Sequence, residues 1–109
     1  MDIEFDPGKD RRNLAKHGIS LARSLEIFRD EVIVISDPRF DYGEARYIGY
    51  GRIGARLYCV VFVQRRDSLR VISLRKANKR EILRYDQAKE SADQAIGDAA
   101  QATAPADAR

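Results

Sequence analysis

Hydrophobic and polar positions change their rhythm several times along the chain. IEF, from Ile3 to Phe5, is a short alternation that predicts a strand. DPGK follows it and reads as a helix start: Asp6 can cap the first amides, and Pro7 fits a position where its missing N–H is not needed. A helix is expected from Pro7 to His17, closing at Gly18, which can take the left-handed conformation. Ser20 then caps a second helix, in which Leu21, Leu25 and Phe28 recur at i, i+4 and i+7 with Ala22 beside them. From Val32 the period shortens. VIVIS is β-branched and predicts a strand, and DPRFDYGE is its loop. ARYIGYGR, ARLYCVVFV and LRVISLR follow as consecutive antiparallel strands, separated by RIGA and QRRDS. The middle one is apolar without alternation, which suits a central strand covered on both faces. Asn78 caps a last helix with Glu81 as the returning half of a capping box. In that helix Ile82, Leu83 and Tyr85 are the large apolar contacts, so it is expected to dock by a short patch and leave its cations in water.

Beyond Lys89, ESADQAIGDAAQATAPADAR loses almost all large apolar residues. The reading is a single domain over residues 1–92 and a flexible, Ala/Asp-rich tail over 93–109. The order β, α, α, β, β, β, β, α gives an α+β class with a mainly antiparallel sheet of four to five strands, two N-terminal helices and one C-terminal helix.

A length of 109 residues supports one core, hence one principal site. The chain is 44% apolar and 34% charged, and no apolar run approaches the roughly 20 residues that span a bilayer. The start, MDIEFDPGKD, has no basic segment leading into an apolar one, so a cytoplasmic protein is expected. The single cysteine, Cys59, lies in an apolar run and is expected to be a buried free thiol.

Charge alters this bland picture. The net charge is +3, but residues 64–84 alone carry +6, with LRKANKREILRY as their densest part. Such a block attracts polyanions, and also acidic proteins or membrane surfaces. One histidine and no cysteine pair leave too few ligands for zinc. Asp37, Asp41 and Glu44 share a loop but no magnesium motif, and no Gly-rich phosphate loop occurs; Gly49, Gly51 and Gly54 fit turn and strand-end roles. Ser73 has no elbow glycines. Metal-free, cofactor-free chemistry is left.

FDPGKDRRNLAKHGIS, EARYIGYG and VVFVQRRDSLRVISLRKANKREILRY together resemble the BrnT family of toxins from bacterial type II toxin–antitoxin pairs, over about residues 3–85. The resemblance implies a RelE-like ribonuclease fold. It also implies an endoribonuclease held inactive by a BrnA-like, DNA-binding antitoxin encoded beside it.

RNA supplies its own nucleophile, the 2′-OH, so the protein must move protons and stabilise charge on the phosphate. Arginine forks suit that charge. Arg65 and Arg75 on the last hairpin are the catalytic candidates, with Arg70, Lys76, Lys79 and Arg80 for binding the substrate backbone. In a regular hairpin Arg65 and Arg70 face each other near the turn, with Arg75 about 15 Å along the strand. His17 is the proton-transfer candidate, or a residue that caps or packs the helix end; the two roles can coexist because the helix dipole is expected to raise its pKa toward working pH. Glu81 is a base or a cap, and Tyr85 a proton donor or a core anchor. The alternatives to a nuclease are a non-catalytic nucleic-acid-binding module and a basic subunit that docks an acidic protein.

Overall fold

A computed structural model describes the side chains of residues 2–37 and 43–91 and the helical backbone on to residue 102. The chain forms two compact units, Met1–Ala77 and Asn78–Arg109.

The first unit holds β1 (Asp2–Glu4), α1 (Pro7–His17), a 3-10 turn (Leu21–Arg23) that runs into α2 (Ser24–Phe28), β2 (Ile33–Asp37), β3 (Arg46–Ile53), β4 (Arg56–Gln64) and β5 (Ser68–Lys76). Their five-stranded sheet has the order β1-β5-β4-β3-β2. β2 to β5 are sequential neighbours and pair antiparallel, whereas β1 lies parallel to β5, with Ile3 opposite Leu69. β4 is the central strand, as its unbroken apolar run requires. Val60 and Phe62 enter the main core, while Leu57, Cys59 and Val63, of the opposite parity, are also buried.

Ile19, Leu21 and Ile27 cap this core from the helical side, and Phe28 meets Phe62 edge-on at 5.1 Å. Between Val61 and Phe62 the β4–β5 register shifts, so that Phe62 faces Val71 but Val60 faces Leu74. The extra residue on β5 resets its alternation. Leu69, Val71 and Leu74 thereby reach one core, and Arg70 and Arg75 take the other face.

Capping follows the sequence. The Asp6 carboxylate accepts from the Lys9 N–H at 2.9 Å, and Gly18, at φ 73°, returns its N–H to Leu14 O. Ser20 Oγ accepts from Ala22 N.

Several expectations need correction. The second helix begins as a 3-10 turn; Leu21 is buried and Phe28 packs on the core as expected, but Ala22 is exposed and Ser24 and Ile27 are buried in its stead. Gly54 does sit in a turn at φ 63°, but Gly49 and Gly51 lie inside β3. There they permit close approach, since a Cβ on Gly51 would stand 2.6 Å from Ile27 Cγ2. Asp37 belongs to β2, buried and opposite Arg46, not to a loop; Asp41 and most of that loop lie outside the described residues.

The second unit carries α3 (Lys79–Ala102). Its start is the expected capping box: Asn78 N donates to Glu81 Oε1 at 2.9 Å, and Glu81 N donates to Asn78 Oδ1 at 2.8 Å. Tyr85 is 4% exposed, whereas Leu83, expected in the apolar patch, is 59% exposed. Lys79, Arg80 and Arg84 are exposed. The expected tail from residue 93 falls outside the described side chains, and 103–109 outside the described backbone.

A candidate active site where α1 meets β5

α1 has little apolar surface, and its one buried residue is polar: Asn13, 6% exposed. β1 covers β5 only from Ser68 to Arg70, so the outer edge of β5 is open further on. Asn13 closes it. Its Nδ2 donates to Leu74 O at 2.8 Å and to Ile19 O at 2.9 Å, while its Oδ1 accepts from Leu74 N at 3.1 Å. One side chain thus stands in for a strand partner and ties α1, the Gly18–Ile19 corner and β5 together. Asp10, one turn earlier, fixes the next segment by accepting from Ser20 Oγ and Leu21 N.

His17 follows Asn13 by four residues, hence on the same helix face one turn of about 5.4 Å further on. Arg75 follows Leu74 directly. The Asn13–Leu74 bonds dock α1 on β5, and the charge of Arg75 acts on the His17 imidazole. Burial first, then the charges of Lys16 and Arg75, hold His17 below its ordinary value of 6.5. The expectation that the helix dipole raises this pKa is overturned. Lost hydration and two neighbouring cations lower it, and the helix end beside it is closed by the Gly18 N–H on Leu14 O. Arg75 Nη1 donates to Lys76 O at 3.1 Å, which ties its guanidinium to the strand end.

The other sequence candidates fall elsewhere. Arg65 does not face Arg70: Arg70 opposes Val63, and Arg65 N bonds Ser68 O at 2.8 Å across the turn. The register shift and the turn set this pairing. Arg65 is held by Glu44 at 3.3 Å, and Arg70 by Glu4 at 3.2 Å, with Ser68 Oγ on the same carboxylate. Arg75 opposes Cys59, four β4 residues from Val63, so Arg70 and Arg75 are about 13 Å apart along the strands. The expected two groups of cations are thus real, one at each end of β5. Lys76 is exposed at the Arg75 end. On α3, the Glu81 carboxylate is engaged in its cap, and Lys89 Nζ lies 5.8 Å from the Tyr85 ring centroid. Among the described residues no three His, Cys, Asp or Glu side chains gather, and no helix is long and apolar enough to cross a membrane.

The family model described as the ribonuclease toxin, BrnT, of type II toxin–antitoxin systems matches residues 5–81, well over half of the chain. The chain belongs to the BrnT family. No curated protein matches it. For this BrnT family member, an RNA target and an antitoxin partner follow from the family. The matched span holds His17, Arg65, Arg70, Arg75, Lys76, Lys79, Arg80 and Glu81; Tyr85 lies beyond it. Asn13 escapes sequence reasoning because the buried face of α1 is polar, with Asp10, Asn13 and His17 at i, i+3 and i+7, so hydropathy marks nothing there. The helical spacing of these polar residues is the signal that could have found it.

Proposed function

We propose that this BrnT family toxin is a metal-independent endoribonuclease whose chemistry centres on His17 and Arg75. The observation that carries this reading is the docking of α1 on β5 through Asn13, which puts His17 within reach of the charge of Arg75 and leaves the imidazole held toward its neutral form. Neutral imidazole can take the 2′-OH proton as O2′ attacks phosphorus. Arg75 meets the non-bridging oxygens, where charge builds up. The P–O5′ bond breaks, the leaving O5′ takes a proton from water, and the products are a 2′,3′-cyclic phosphate and a 5′-OH. Lys76 holds a flanking phosphate. Arg65 and Arg70 serve the same role at the far end of β5 once RNA replaces Glu44 and Glu4 as their partner. Glu81 acts as the cap of α3, and Tyr85 as a buried structural side chain. An acidic, DNA-binding antitoxin of the BrnA kind silences the toxin in the cytoplasm by covering this basic site.

RNA incubated with pure toxin in excess EDTA tests the reading, with fragment ends identified by mass spectrometry. Fragments ending in cyclic phosphate are expected. Activity that disappears with chelator and returns with magnesium overturns the mechanism, and RNA that is bound but stays intact reduces the protein to a binding module.

A further inference from the structure

The positive charge concentrated in residues 64–84 is partly spent within the fold, since Arg65 and Arg70 are held by Glu44 and Glu4. A different set of cations is less engaged, Arg12 acting on Asp6 through its charge alone. Lys9, Arg11, Arg12 and Lys16 on α1 are exposed, and among the described residues none of them forms an ion pair. The two acids nearest to them in sequence serve as caps: Asp6 accepts from Lys9 N, and Asp10 from Ser20 and Leu21.

Lys9, Arg12 and Lys16 fall at i, i+3 and i+7, which makes one stripe along the helix. The stripe is about 10 Å long at 1.5 Å per residue and borders the face that carries Asn13 and His17. Arg11 adds to it near the start of the helix. Its Nη2 and the Arg12 Nη1 come within 3.8 and 3.6 Å of the point where a Gly8 Cβ would stand, with Asp6 Oδ2 the acid near that point. Like charges gathered without enough counter-charge are self-repelling, and a string of anions relieves that repulsion. The stripe ends at Lys16, beside the imidazole.

We propose that the Lys9, Arg12 and Lys16 stripe of α1 is an RNA-backbone track that holds phosphates of the single strand on one side of the scissile bond. The inference rests on the proposed placing of the reaction at His17 and Arg75, and it adds a binding surface outside the basic block of residues 64–84. A polyphosphate backbone fits better than a folded acidic protein surface. The cations are evenly spaced along one line of about 10 Å, and α1 offers no exposed apolar cluster with them: Leu14, 52% exposed, stands alone on the opposite flank.

The test uses the full chain and a fluorescein-labelled 2′-O-methyl oligoribonucleotide of twelve nucleotides, which binds but cannot be cut. Anisotropy titrations from 25 to 200 mM NaCl give the slope of log K against log salt. Each phosphate contact on a single strand contributes about 0.7 to that slope. The triple variant Lys9→Gln, Arg12→Gln, Lys16→Gln is therefore expected to flatten it by about 2 and to weaken low-salt binding at least about tenfold, with an unchanged circular-dichroism spectrum. The control Arg29→Gln, Arg52→Gln removes exposed charge outside both α1 and residues 64–84 and is expected to shift the slope far less. Equal flattening in both variants overturns the track in favour of a diffuse field. A triple variant that binds the oligonucleotide normally but loses antitoxin affinity assigns the stripe to a protein partner and overturns it as well. Because the probe is not cleavable, binding through α1 without any RNA cleavage elsewhere sinks only the proposed chemistry. Cleavage without dependence on α1 sinks only the track.

Discussion

Asn13→Ala removes the side chain that replaces a strand neighbour along β5. Three backbone groups lose a partner: Leu74 N–H, Leu74 C=O and Ile19 C=O, formerly at 3.1, 2.8 and 2.9 Å. The Leu74 and Ile19 residues are 0% and 6% exposed. A buried polar group left without a partner costs about 1–3 kcal/mol, so three of them amount to about 3–5 kcal/mol once water reaches the opened edge. That is a large share of a small domain's stability of about 5–15 kcal/mol, and at about 4–8 °C per kcal/mol it lowers Tm by about 12–40 °C. Thermal and urea unfolding by circular dichroism measure it. Asn13→Asp sharpens the argument. A carboxylate there still accepts from Leu74 N–H but faces two carbonyl oxygens, so its folded-state pKa is raised above the unfolded value. Its stability is then fullest below the unfolded pKa of about 3.9 and is lost as pH rises through the folded pKa. The Asp variant should gain on the Ala variant in acid and fall to it or below near pH 7. An Ala variant destabilised by less than about 1 kcal/mol, or an Asp variant without this acid recovery, would refute the strand-surrogate role of Asn13.

His17 is the sole histidine, so its imidazole NMR signals are unambiguous; their midpoint is expected below 6.5 and should rise in Arg75→Gln. Because the folded pKa is lowered, the neutral group supports the fold above pH 6.5, and this support is lost as pH falls through the folded pKa. In His17→Gln that acid-side loss should vanish. The same variant should fold yet lose most cleavage along with the acid limb of the rate profile, and wild-type turnover with an unchanged limb would remove His17 from the chemistry. Arg75→Ala should lower cleavage at least about 100-fold while Arg84→Ala, exposed on α3, changes it little; equal small effects would mean a diffuse surface. Gly51→Ala should destabilise by about 1–3 kcal/mol in urea unfolding, because its Cβ would press on Ile27, and a neutral result would show that α2 can yield.

Local chemistry was legible in the order of residues. Asp6, Pro7 and Gly18 bound α1, and Asn78 and Glu81 start α3, because capping needs only neighbours within a few positions. The central place of β4 was also legible, since a strand buried on both faces cannot alternate. The candidates His17 and Arg75 stood out by residue type. What brings them together did not. The parity reset on β5, the parallel docking of β1 that leaves Leu74 uncovered, and the capture of that edge by Asn13 join residues 61 positions apart. Register likewise decided that Arg65 faces Ser68, with Arg70 opposite Val63, and which cations are neutralised by Glu4 and Glu44. The pKa of His17 was misjudged for the same reason. A helix end is a local feature, but burial and the charge of Arg75 arrive only when distant segments pack, and these lower the pKa.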